Sequence, residues 1–167
     1  MATKSRGTDE PEAVGSHDAG TETTTHLTGF DRVLVAIDGE SDDAVGAVAV
    51  AEAARHDARV DALSIVRMNA SVDQWDVVVE RREERAEAAL DAVDHAATEP
   101  GVPISKRLRY GDPAREIVRY AAHNGIDLIV MGEPTRTGLR RYFSRTSVTD
   151  RVRRTASVPV LTVPVDD

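Results

Sequence analysis

The chain has 167 residues, 41% apolar, 30% charged and 4% aromatic, which suffices for one domain with a sizeable core. Its 29 acidic residues outnumber 21 basic ones for a formal net charge of −8, and with no cysteine it excludes disulfides, thiolate metal sites and cysteine nucleophiles. No apolar run approaches the roughly eighteen residues that span a bilayer, and the beginning of the chain holds no apolar signal segment, so a soluble, cytoplasmic protein is expected.

Seventeen of the acids are Asp, and the only lysines are Lys4 and Lys106. An Asp-rich, Lys-poor chain whose apolar set is mostly Ala and Val suits solubility in strong salt, because hydrated carboxylates keep molecules apart, so a halophilic habitat is expected.

Residues 1–28 are rich in Thr, Glu, Asp and Gly, with Val14 and Leu27 almost their only bulky apolar groups. Such a segment cannot bury enough surface to order itself, so it is expected to be a disordered acidic tail preceding one domain over residues 29–167. The run Val33-Leu34-Val35-Ala36-Ile37 is continuously apolar and β-branched, the pattern of a central parallel strand covered on both faces. It ends at Asp38-Gly39. Ser41 then suits a helix N-cap, Asp42 and Asp43 sit at the positive end of the helix dipole, and Val45, Val48 and Ala49 form an apolar stripe.

A second strand is predicted from Arg59 to Val66. A long helix follows, with Trp75, Val78, Val79, Ala86, Ala89, Leu90, Val93 and Ala97 at helical spacing, stopped by Glu99-Pro100-Gly101. The third strand, Pro103 to Tyr110, carries Lys106, Arg107 and Arg109 and so belongs at a sheet edge. Asp112 caps the next helix, Pro113 suits its first position, Ile117, Val118, Ala121 and Ala122 are expected to face inward, and Asn124-Gly125 closes it. Leu128-Ile129-Val130-Met131 is another central strand. After a long loop, a last helix over Val148 to Thr155 leads into a final strand, Val158 to Val163, whose prolines mark a second edge.

Strands alternating with helices imply an α/β fold, a doubly wound, mostly parallel five-stranded sheet with helices on both faces. Ligands bind such sheets beyond the carboxyl ends of the strands, where the strand order reverses. The two most apolar strands end at Asp38 and Gly132, and their ends are expected to form the crevice.

Five segments, in order, carry a resemblance: Val33-Leu34-Val35-Ala36-Ile37-Asp38-Gly39; Gly111-Asp112-Pro113 with Ile117; Asp127-Leu128-Ile129-Val130-Met131-Gly132; Ser147-Val148-Thr149-Asp150-Arg151-Val152; and Val158-Pro159-Val160. Over Phe30 to Val165 the chain resembles the universal stress protein family. The resemblance implies a Rossmann-like sheet of order 3-2-1-4-5 and a homodimer, in a family whose members either bind ATP or do not. The binding branch carries Gly, two residues, Gly, nine residues, then Gly-Ser or Gly-Thr. Here only Gly132 survives. Thr135 stands at the second glycine, and Arg145-Thr146 or, with one inserted residue, Thr146-Ser147 at the last pair, so the third glycine is missing in either register.

Glycines let a backbone take positive φ and bring its N–H groups to phosphate oxygens, whereas residues carrying Cβ crowd that nest. The hydroxyls of Thr135, Thr146 and Ser147, and a helix starting near Ser147, could still hold an anion. If ATP or ADP binds, the resemblance assigns Asp38 and the backbone near Ile65 to adenine and ribose. It assigns Met131 and Gly132 to the floor, and Thr135, Thr146, Ser147 and Val148 to the phosphates. The plainer roles are a strand-end carboxylate for Asp38 and a helix N-cap for Ser147.

Between Arg136 and Arg154 seven arginines face Asp150 alone. Such an island either pairs with the protein's own carboxylates or a dimer mate, or attracts RNA or an acidic partner. No GxxxxGK[ST], GxGxxG, HExxH or GxSxG motif occurs, no catalytic residue stands out, and His56, His95 and His123 lie singly on three helices, so no metal site is expected. The resemblance implies a stress-response regulatory or binding protein. A slow ATPase or nucleotide-handling enzyme, or an interaction module without nucleotide, are the alternatives. Neither DNA nor membrane is an expected partner. The final strand, apolar on both faces at an edge, is the expected dimer contact.

Overall fold

In the computed structural model, residues 29–39, 43–68, 75–134 and 147–165 are described, the side chains of residues 75–78 and 134 excepted. Their elements alternate as β1 (Arg32–Ile37), α1 (Asp43–His56), β2 (Arg59–Val66), α2 (Trp75–Thr98), β3 (Ile104–Tyr110), α3 (Pro113–Asn124), β4 (Leu128–Pro134), α4 (Val148–Thr155) and β5 (Val160–Val165). The strands form one sheet in the order β3-β2-β1-β4-β5, with every pairing parallel. The chain walks from β1 out to β3 and then returns to the other side of β1. Right-handed crossovers therefore put α1 and α2 on one face and α3 and α4 on the other.

The core divides accordingly. Val33, Val35 and Ile37 of β1 pack with Val45, Ala49, Leu90 and Val93 under α1 and α2, while Leu34 and Ala36 join Leu63, Ile117, Ile129 and Val152 under α3 and α4. This two-sided burial explains the unbroken apolar run of β1. At one edge, β3 leaves Lys106, Arg107, Arg109 and Tyr110 exposed, as its charge pattern predicts. Lys106 is tied to the acidic flank of α2, 2.8 Å from Asp91 and 3.3 Å from Asp94.

Two expectations need correction. The final strand begins at Val160, not Val158, and runs through Pro164 to Val165, because its limits follow the reach of β4: Ile129 pairs with Val160 and Pro134 with Val165. The carbonyl of Pro159 still accepts the Ile129 N–H at 3.0 Å. An edge strand tolerates Pro164, since its outer N–H groups have no ladder partner. On α3, Ala122 is exposed rather than inward, and Tyr120 is buried in its place. The ring can be buried because its hydroxyl donates to Asp61 Oδ2 at 2.8 Å.

Asp61 is fully buried at the third position of β2, and Arg32 from the start of β1 meets the same Oδ2 through Nη2 at 2.7 Å and Nε at 3.1 Å. Arg32 Nη1 also donates to the Asn124 carbonyl at 2.7 Å, at the negative end of α3. One carboxylate thereby joins β1, β2 and α3 at the amino end of the sheet, opposite the predicted crevice. The signal for this cluster in the sequence is an aspartate inside an apolar strand.

Candidate functional site

The strand order reverses between β1 and β4, which pair directly, Val33 with Leu128 through Ala36 with Met131. The helices that follow these two strands leave on opposite faces, the arrangement in which doubly wound sheets take a ligand at the carboxyl ends of their strands. Asp38, exposed, follows the last residue of β1. Gly39 then turns the chain at φ +79, and a Cβ there would lie 3.0 Å from the Arg85 carbonyl oxygen of α2. Both its conformation and its clearance call for glycine.

Strand register brings four of the sequence-predicted residues within two residues of one another at the carboxyl end of the sheet. Ile37 pairs with Ser64 and Ala36 with Met131, so Ile65 reaches the level of Asp38, and Gly132 the level of Ile37. Met131 is 5% exposed and packs in the core with Ile117 and Val152, so it offers the crevice backbone rather than side chain. Ile65 is half-buried against the same cluster.

Two hydroxyls, absent from the sequence-level candidates, close the floor. Ser64 Oγ donates to the Ile37 carbonyl at 2.9 Å, and Thr149 Oγ1 to the Gly132 carbonyl at 3.1 Å. Both hydroxyls thus bond to backbone carbonyls at the carboxyl end of the sheet, and the second ties α4 to β4.

Ser147 is the N-cap of α4. Its hydroxyl accepts the Asp150 N–H at 3.0 Å, and its own N–H donates to Asp150 Oδ2 at 3.3 Å, a reciprocal capping box. Val148 is the first helical residue, packed against the core under α3 and α4. Thr135 and Thr146 lie outside the described residues, as do Arg136, Arg140, Arg141 and Arg145 of the basic island, and Ser41 and Asp42 before α1.

Within the described part of that island, Arg151 grips Asp112 with both arms, Nη1 to Oδ2 and Nη2 to Oδ1, each at 2.8 Å. Asp112 also accepts the Arg115 N–H at 3.0 Å as the N-cap of α3. Arg151 first, then that backbone bond, hold the Asp112 carboxyl below the usual carboxylate range, with a smaller contribution from Arg67. Arg153 meets Glu133 at 3.4 Å and Thr162 at 3.1 Å. Both arginines thus take the protein's own carboxylates, one of the two arrangements the sequence allowed. Among the described residues no group of three or more His, Asp or Glu side chains is placed to hold a metal ion, and no helix is long and apolar enough to cross a membrane.

This architecture recurs among known proteins. The universal stress protein MJ0531 of Methanocaldococcus jannaschii is 36% identical over 141 residues, covering 80% of this chain and 82% of that protein. The structure of the universal stress protein UspA from Lactobacillus plantarum superimposes with a TM-score of 0.62 at 31% identity, covering 81% of this chain and 98% of the other. A universal stress protein solved in complex with cAMP shares the fold with a TM-score of 0.65 at 24% identity, over 81% of this chain and 97% of the other. Residues 29–164 match the sequence pattern of the universal stress protein family. That match spans the sheet from before β1 into β5, and with a strand order that reverses where the shared segments end, the chain belongs to the universal stress protein family.

Proposed function

We propose that this protein is a stress-response binding protein that takes an adenine nucleotide, ATP or ADP, in the crevice between β1 and β4 and works as a dimer through β5. The observation that carries the reading is the switch point itself: β1 and β4 are neighbours, their following helices leave on opposite faces, and the first turn of α4 is bonded to Gly132 near the end of β4 through Thr149. A fold neighbour is described in complex with cAMP, an adenine nucleotide, which supports the same ligand class here. In this reading Asp38 and the backbone near Ile65 meet adenine and ribose, and the Met131–Gly132 backbone forms the floor. Thr135, Thr146, Ser147 and Val148 stand by the phosphates.

Calorimetric titration of ATP and ADP, at low and molar KCl so that a salt-adapted fold is tested while folded, should give micromolar binding that Asp38→Ala abolishes. Absence of binding by folded protein in both salts overturns the reading. A second reading is favoured by the Ser147 capping box: its hydroxyl and N–H are already engaged by Asp150, leaving less for a phosphate. In that case the protein is an interaction module without nucleotide, and the same titration separates the two.

A further inference from the structure

The bidentate Asp112–Arg151 pair spans the starts of α3 and α4, both at the carboxyl end of the sheet where the crevice opens. It differs from the buried Arg32–Asp61 pair in one decisive respect: Arg151 and Asp112 are 45% and 44% exposed, so the pair is wet and open to exchange. Exposed pairs of this kind contribute little to stability, so parting them costs little. A phosphate presents the same forked acceptor geometry as a carboxylate, with more charge. Asp112 is not stranded if Arg151 leaves, because it keeps the Arg115 N–H at 3.0 Å and the nearby charge of Arg67.

The rest of that end of the molecule is rich in carboxylates. Asp38, Asp43, Glu133 and Asp150 all lie on turns, strand ends or helix starts there, so an entering polyanion needs a cation to meet it. Arg153 is shared between Glu133 and Thr162 on the β5 side. Arg67 also lies at this end, just past β2, but it is Arg151 that already holds a forked oxygen acceptor, with both Nη groups on Asp112 between the starts of α3 and α4.

We propose that Arg151 recognises the distal phosphates of a nucleotide in the crevice, and that Asp112 is a built-in competitor that holds the guanidinium until a phosphate displaces it. The inference rests on the adenine-nucleotide reading above and adds a selectivity to it. In this arrangement the base and ribose lie at Asp38, at the end of β1, and the outer phosphates are taken by Arg151, in the first turn of α4. The site therefore prefers ATP to AMP, and the preference resides in one arginine.

The test is calorimetry with ATP and AMP at fixed ionic strength on the full chain, its Arg151→Gln variant and its Asp112→Asn variant. Asparagine caps a helix as well as aspartate does, so Asp112→Asn keeps the start of α3 while removing the competing charge. Arg151→Gln should weaken ATP roughly tenfold and AMP less than about twofold, the pattern of one lost charge-assisted contact. Asp112→Asn should tighten ATP by about threefold or more and leave AMP unchanged. If the unmodified protein binds both nucleotides and neither variant changes their ratio, or Arg151→Gln weakens both equally, this inference alone is overturned. If the unmodified protein binds neither nucleotide, the inference and the reading beneath it fall together.

Discussion

Asp61 shows how one residue can tie a sheet to a helix. Its side chain is 0% exposed, and its Oδ2 gathers Arg32 and Tyr120, while Oδ1 has no hydrogen-bond partner among the described residues. A buried carboxylate is tolerated only while its partners stay, because a lone ion in the interior is far costlier than a paired one. Tyr120→Phe keeps the ring and removes the donor, and should lower unfolding free energy by about 1–3 kcal/mol in a denaturant titration. The same hydroxyl sets an alkaline limit. Burial first, and then the bond to Asp61, raise the Tyr120 hydroxyl above its ordinary value of 10.0. A raised value favours the neutral form in the folded state, so this stability is complete below the unfolded value and is lost as pH climbs through the folded one. Thermal melts should therefore fall more steeply above about pH 10 for the parent than for Tyr120→Phe, and parallel curves would remove Tyr120 from the account.

At the scale of elements, the ends of helices and strands do most of the positioning. Asp112, Pro113 and Gly125 (φ 61) delimit α3, and the reciprocal Ser147–Asp150 bonds start α4. The turn out of β1 is more demanding, since Gly39 combines φ +79 with a Cβ position 3.0 Å from a backbone oxygen that cannot rotate away. Gly39→Ala should cost at least about 1–2 kcal/mol from the left-handed conformation alone, with the crowding against α2 added to it. Gly125 shares the positive φ but has nothing within 4 Å of its missing Cβ. Gly125→Ala should then be the milder of the two, and equal losses in melting temperature would refute the role of α2 at Gly39.

At the scale of the molecule, charge and the sheet edges set what the protein does with its neighbours. β5 is an edge strand with Leu161 37% exposed, whereas the other edge, β3, is guarded by Lys106, Arg107 and Arg109. If β5 is the dimer contact, Leu161→Lys should shift the protein to monomer in light scattering while leaving its circular dichroism unchanged. A parent protein that is already monomeric removes that contact. The net charge of −8 makes a further prediction, because screening relieves repulsion among carboxylates. Folded stability should rise from low salt to molar KCl, and an unchanged midpoint would count against salt adaptation.

Much of this was legible in the residues alone. The apolar run of β1, the basic pattern of β3, the caps of α3 and the limits of α4 are written in a few neighbouring side chains, because propensity, capping and alternation act over one or two turns. The alternation of strands and helices in turn implied the doubly wound sheet that the strand order shows. Other features depended on residues far apart. Tyr120 lies 59 positions from Asp61, and Arg151 lies 39 from Asp112. Tyr120 displaced Ala122 from the inner face of α3, and β4 set the limits of β5. Local sequence determined which segments became strands and helices and where they turned. Tertiary structure alone decided which charges meet and where the last strand ends, because those outcomes depend on contacts that form only when the sheet has brought distant residues together.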